Sequence, residues 1–365
     1  MTEVIKTTED LKAVEREFTH FQKHLDSKYE WHDTKVEYVD ADLGALLGLP
    51  KSNWKMPIAS VPKTSAHLHP DFIPKVDKDY VFEEMKMRRI IAGLKLNKPL
   101  MLVGPQGCGK STLFDQFYAR LRMPAVRVQC TNRMDEEYLF GSPLLAESNG
   151  ATVSGFQFGQ LSGTRKHHVN IMLDEVTHLN ECVSPDLNTF LEMKSDLRIT
   201  SNGFSVGDSA SEQVVNATRF QDVWASSNTG GRSESDSGFA GNSVLSTSTM
   251  DRLIMIDTDY LPVEQETLLF NKKIQNGKKW NSNTIEFMNL ARDAYKNGDL
   301  SKSMSTRSGL DFLDYCHEVG DISTAFCDTV LAKYEMSERQ AVFDLFSTAF
   351  ELDLTIPDLL LPKVS

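Results

Sequence analysis

The chain has 365 residues, enough for one large α/β unit plus a smaller domain. Hydrophobic residues make up 40% and charged residues 25%, the balance of a soluble globular protein, and no apolar run approaches the ~20 residues that would span a bilayer. The formal net charge of −12 disfavours a broad nucleic-acid footprint, which wants a basic face; five scattered cysteines without a C-x-x-C pair, and an N-terminus without a signal-peptide core, point to reduced thiols in a cytoplasmic protein.

Residues 7–30 read as one helix, opened by a capping-box-like Thr7 to Asp10 and carrying Leu11, Val14, Phe18, Phe21 and Leu25 on one stripe. That stripe needs a partner surface, either its own domain or a neighbouring subunit. Residues 36–80 are mixed, with a Leu-rich piece and a proline-bearing loop. His67 and His69 in that loop lack the cysteine or carboxylate spacing of a zinc site and read as surface residues. Glu83–Leu96 reads as a helix leading into the short apolar strand Pro99–Val103.

The strand runs into Gly104, Pro105, Gln106, Gly107, Cys108, Gly109, Lys110, Ser111 and Thr112, which fit G-x-x-x-x-G-K-[ST]. An amphipathic helix follows, so the motif has the context it requires. Glycines let the backbone approach phosphates closely, and the helix N-terminus turns N–H groups toward the anion. In this loop Lys110 reaches the β- and γ-phosphates and the Ser111 hydroxyl ligates Mg²⁺, so the motif predicts ATP and Mg²⁺ as cofactors.

Ala125–Gln129 reads as a second strand, and the Gly-rich passage Ser148–Gly159, after Asp135–Gly141, as a hairpin. Val169–Leu173 is an apolar strand ending in Asp174 and Glu175. Downstream of a sound phosphate loop, that pair suits Asp174 to the metal and Glu175 to orienting and deprotonating water. Residues 182–195 read as a helix, and 197–200 with 214–217 as a second hairpin. Asp222–Asn228 is a strand ending in a polar residue, which suits Asn228 either to the water or γ-phosphate or simply to starting the following turn. The Ser/Gly/Thr-rich stretch 226–249 predicts a mobile loop. Arg252 is expected to open a fifth strand, either free to reach phosphates or paired with Asp251. Helices are expected at Val263–Lys273, Thr284–Lys296, Ser308–Glu318, Ile322–Lys333 and Glu338–Phe350. The expected fold is therefore α/β: a parallel five-stranded P-loop sheet flanked by helices, with hairpin inserts and a helical domain behind it. The expected boundaries are a 1–35 helical extension, a 36–80 linker segment, an 81–260 ATPase domain, a 261–350 helical lid and a 351–365 tail.

The P-loop, Asp174-Glu175, Asn228, Asp251-Arg252 and the arginine of Met304-Ser305-Thr306-Arg307-Ser308 occur in AAA+ order. The two hairpins resemble the inserts of the MoxR-type clade. Asp77–Phe82, Ser227-Asn228-Thr229-Gly230, Tyr260-Leu261-Pro262, Asn297–Ser301 and Gly320-Asp321-Ile322 look like the small ATPase subunit of aerobic cobaltochelatase, over residues ~36 to 350. The resemblance implies sensor 1 at Asn228, an arginine finger at Arg252 acting on ATP held by the adjacent subunit, and sensor 2 at Arg307. Arg219 is a weaker candidate for a second contact in trans. It also implies a homo-oligomeric, hexameric ring working with a protein partner that carries a metal-site, von Willebrand A-like domain. Two positions depart from the pattern: Cys108 stands where such relatives usually have Thr, and Ser-Thr-Arg-Ser stands where Ser-Pro-Arg-Thr is familiar. The implied activity is ATP-driven remodelling of a partner. The alternatives are a nucleotide-gated assembly protein and a nucleic-acid motor, the latter disfavoured by the acidic balance.

Overall fold

The computed structural model describes residues 38–49, 58–62, 70–148, 151–199, 214–215, 221–230, 245–274 and 278–352. The expected N-terminal helix, His67 and His69, Arg219, most of the Ser/Gly-rich loop and the tail beyond 352 lie outside these residues. The chain forms two compact units. The first comprises residues 1–77, 82–104 and 110–258; the second comprises 78–81, 105–109 and 259–365.

In the first unit, β1 (Tyr38–Asp42) and β2 (Ile58–Pro62) form an antiparallel pair, with the short α1 (Leu43–Leu46) after β1. Helix α2 (Glu84–Lys95) feeds β3 (Leu100–Val103), and α3 (Lys110–Leu121) leads to β4 (Ala125–Gln129). After α4 (Glu136–Phe140), the first hairpin is β5 (Gly141–Ser148) with β6 (Ala151–Phe158); α5 (Gln160–Lys166) and β7 (Asn170–Asp174) follow. Helix α6 (Ser184–Leu191) precedes the second hairpin, β8 (Leu197–Arg198) with β9 (Val214–Val215). The unit closes with β10 (Val223–Ser227), α7 (Thr247–Met250) and β11 (Ile254–Asp257).

The central sheet has five strands in the order β11-β3-β10-β7-β4, all parallel. Its middle strands are apolar along nearly their whole length because helices cover both faces. All of β10 is buried, as are the first four residues of β7. One face packs Met101, Ile171, Leu173 and Ala225 against Leu187 and Phe190 of α6. On α3, the Phe114 ring meets Trp224 edge-on at 5.5 Å and Tyr118 at 4.9 Å. Each such ring buries a large apolar area.

Two expectations shift by a turn. The fifth strand begins at Ile254, so Arg252 lies in the turn after α7 rather than opening the strand. The helix expected over 182–195 divides into a 3₁₀ turn at Glu181–Val183 and α6, which carries Pro185 in its first turn, a position where proline's missing N–H costs nothing.

The second unit is helical from Val263: α8 (Val263–Lys273), α9 (Asn281–Asn297), α10 (Thr306–Val319), α11 (Ile322–Thr329) and α12 (Arg339–Phe350). Phe287, Phe312, Phe326, Phe346 and Phe350 form its core, with Phe346 stacked on Phe326 and Phe350 at 3.9 and 4.1 Å. Ser305 caps the start of α10, and Gly320 at φ +74° ends it in the left-handed conformation that glycine adopts without strain. The helix expected over Ile322–Lys333 stops at Thr329, and a 3₁₀ turn at Leu331–Lys333 replaces its last part.

Candidate nucleotide site

Strand register brings the chemistry together. Ser227 pairs with Val103, Ala225 with Leu173, and Gln129 with Asp174, so the carboxyl ends of β3, β7 and β10 stand side by side. In open α/β sheets this edge is where ligands bind. Gly104, Asp174-Glu175 and Asn228 leave the sheet at that edge.

Lys110, 8% exposed, begins α3. Its Nζ donates to Gly104 O at 2.7 Å and to Asn228 Oδ1 at 2.9 Å. The Asn228 amide in turn donates to both Glu175 oxygens, at 3.0 and 3.1 Å. One asparagine thus links the lysine to the glutamate. The second chain of contacts runs through Asp174. Ser111 Oγ donates to Asp174 Oδ2 at 2.7 Å, and Ser226 Oγ donates to Asp174 Oδ1. Ser226 Oγ also accepts the Glu175 N–H at 3.0 Å, so a single hydroxyl fixes both acids. Glu175 sits at φ +57°, ψ +50°, a left-handed conformation that costs a non-glycine residue on the order of 1 kcal/mol. The Ser226 bond to its N–H helps hold it there.

The electrostatics around the acids follow from burial. Burial raises the Asp115 pKa one turn along α3, while Arg127 opposes the rise and Asp174 adds to it. Burial also pushes the Cys130 thiol up, and the negative charges of Asp174 and Glu175 push further, so it stays neutral beneath the site. Farther in, desolvation raises the carboxyl of the half-buried Asp222 to about 6, against the bond from Tyr118. Tyr118 Oη donates to Asp222 Oδ2 at 2.7 Å and accepts from Trp224 Nε1 at 2.9 Å.

The loop between Gly104 and Lys110 has a shape that suits phosphate. Gly107 and Gly109 have φ of +74° and +89°, conformations that L-residues with a Cβ rarely adopt. A Cβ on Gly104 would lie 2.0 Å from Thr258 O, so the loop's entry is packed tightly against β11. The loop runs into the N-terminus of the twelve-residue α3, where unpaired backbone N–H groups favour an anion. The Ser111 hydroxyl and the Asp174 carboxylate, already in contact, are hard oxygen donors of the kind Mg²⁺ takes.

The two arginines are placed differently. Arg252 is held within its own chain. Its Nη2 and Nε donate to Glu192 Oε1 at 2.6 and 3.2 Å, and its Nη1 donates to Ser248 O at 2.6 Å. The expected alternative partner, Asp251, is not the one it uses. Arg307, the second residue of α10, is exposed and makes no side-chain hydrogen bond among the described residues. Two residues of consequence had no clear signal in the sequence. Ser226 is one of two serines in a strand and becomes distinctive only through register. Glu192 lies 60 positions from Arg252 and meets it only in the fold.

Residues 99–240 match the family model of the AAA domain, dynein-related subfamily. The chain is 29% identical over 291 residues to the aerobic cobaltochelatase subunit CobS of Sinorhizobium sp., covering 78% of this chain and 84% of that one. An uncharacterized protein of Staphylococcus epidermidis is 24% identical over 273 residues, covering 74% of this chain and 95% of its own. Among solved structures, the Thermotoga maritima RuvB Holliday junction branch migration motor aligns with a TM-score of 0.39 at 11% identity, over 75% of this chain and 72% of that one. The family-model match and the similarity to CobS, with the P-loop and the strand order, support a CobS-like AAA+ ATPase.

Proposed function

We propose that this AAA+ ATPase works as a hexameric ring in which each turnover of ATP changes the conformation of a protein partner. The observation that carries the reading is the hydrogen-bonded set Lys110–Asn228–Glu175 with Ser111–Asp174–Ser226. Lys110 and the loop from Gly104 to Thr112 bind the phosphates of ATP. Ser111 and Asp174 would hold Mg²⁺, which when bound offsets negative charge on the transferring phosphate. Glu175 orients a water and takes its proton as the water oxygen bonds to the γ-phosphorus and the bond to ADP breaks. Asn228 positions Glu175 relative to Lys110.

Arg252 acts on ATP bound by the next subunit, and Arg307 answers the nucleotide from the lid. Both roles suit the guanidinium fork, which stabilises charge spread over phosphoryl oxygens. The similarity to a cobaltochelatase subunit makes a metal-site domain the partner class to test first, with cobalt chelation as one possible outcome. Among the described residues no helix is long and apolar enough to cross a membrane.

The test is phosphate release by wild type against Glu175→Gln. The variant should keep ATP binding and lose turnover by a factor on the order of 100 or more. Equal rates would remove Glu175 from the chemistry, and a wild type that hydrolyses nothing in any oligomeric state would end the motor reading.

A further inference from the structure

The helical unit contains a buried ion pair that the proposed hydrolysis does not use. Glu266 on α8 is fully buried and Arg292 on α9 is 5% exposed. Arg292 Nη1 and Nη2 donate to Glu266 Oε2 and Oε1 at 2.8 and 2.9 Å. A buried pair is costly unless its remaining groups are satisfied, and here they are satisfied by one short segment. Arg292 Nε donates to Met304 O at 3.0 Å, and Thr306 Oγ1 donates to Glu266 Oε1 at 2.6 Å. The pair therefore grips residues 304–306, which lead directly into Arg307.

The same guanidinium reaches toward the phosphate loop through an aromatic ring. Its carbon lies 3.9 Å from the centroid of the Tyr260 ring, a cation–π contact. Tyr260 Oη donates to the backbone carbonyl of Gln106 at 3.2 Å and lies 3.3 Å from Ser303 Oγ. Burial raises the Tyr260 pKa, which keeps that hydroxyl a donor. Ser305 is packed on the same loop: a Cβ on Gly107 would come within 2.5 Å of Ser305 Cβ.

We propose that Tyr260 is a positioning residue that couples the backbone of the phosphate loop at Gln106 to the segment carrying Arg307, with the Glu266–Arg292 pair as its rigid mount. A loop reshaped by nucleotide moves the Gln106 carbonyl, and the Tyr260 hydroxyl carries that change to residues 303–306. This role rests on the ATPase reading and adds to it the path by which the lid senses the loop.

Tyr260→Phe keeps the ring and its stack on Arg292 and removes only the hydroxyl. In the full chain, with a fluorescent ATP analogue as probe, its Kd should rise about fivefold, the worth of one hydrogen bond, with little change in Tm. In an Arg307→Ala background the same substitution should leave Kd unchanged, because the path then ends in nothing. An unchanged Kd for Tyr260→Phe alone, or losses that simply add in the double variant, overturns the role. A wild type that does not bind the probe overturns the ATPase reading itself and this role with it.

Discussion

The carboxyl edge of the sheet and the segments that carry the two arginines are built on different terms. At the sheet edge, Lys110, Ser111, Asp174, Glu175 and Asn228 take part in hydrogen bonds of 2.7 to 3.1 Å; Asp174, Glu175 and Asn228 sit at strand ends whose register is set by neighbouring strands, and Lys110 and Ser111 begin α3. Arg252 instead follows the short helix α7 and is bound to Glu192, while Arg307 projects from α10 into solvent. The first group is organised by the chain alone. The two arginines make no hydrogen bond to that set among the described residues. On the proposed reading, the groups for phosphate binding and water activation are held in place within one chain, whereas charge stabilisation by arginine would wait for a nucleotide or a second copy.

Ser226 is the sharpest place to break the preassembled half. Ser226→Ala removes the donor to Asp174 and the acceptor for the Glu175 N–H together. Turnover should fall about tenfold, corresponding to roughly 1.4 kcal/mol of lost positioning, while nucleotide Kd changes less. A change confined to Kd would show that Ser226 serves binding and not the acid pair.

A smaller, pH-dependent effect is expected beneath the site. The Asp222 pKa is raised to about 6 by burial. An acid raised in the folded state favours folding while it is protonated, so its contribution is complete below its unfolded pKa near 4 and is lost as pH rises through about 6. Asp222→Asn keeps an acceptor for Tyr118 without the charge. Relative to wild type, its stability should gain on the order of 1–3 kcal/mol at pH 7 and little at pH 4, measured by urea unfolding at both values. An equal change at both pH values would show that folding does not shift the Asp222 pKa. Such a change would leave hydrolysis near wild type, separating the core from the site.

The two halves were also unequally legible in the sequence. The P-loop and the Asp174-Glu175 pair are contiguous, and their chemistry depends on local backbone shape, so the strand before and the helix after are enough to read them. The two hairpins were legible for the same reason, since glycines and alternation are local signals, although the first begins at Gly141, ahead of the expected Ser148. Ser226 was not, because its value comes from a parallel register with β7 across the sheet. Neither was Glu192: nothing near it announces an arginine partner. The start of β11 was misplaced because an apolar run after Asp251-Arg252 looks continuous, whereas the capped turn of α7 extends through Arg252. The buried pair of Glu266 and Arg292 had no local signal, because the two lie 26 positions apart on different helices.

The central claim is that the site in one chain is completed by Arg252 of another. Mixing Lys110→Ala chains with Arg252→Ala chains tests it directly. Each variant alone should hydrolyse almost no ATP. An equal mixture that assembles at random should recover roughly a quarter of wild-type turnover, from interfaces where an intact Lys110 faces an intact Arg252. Mixed assemblies verified by sizing that recover no turnover would contradict the account.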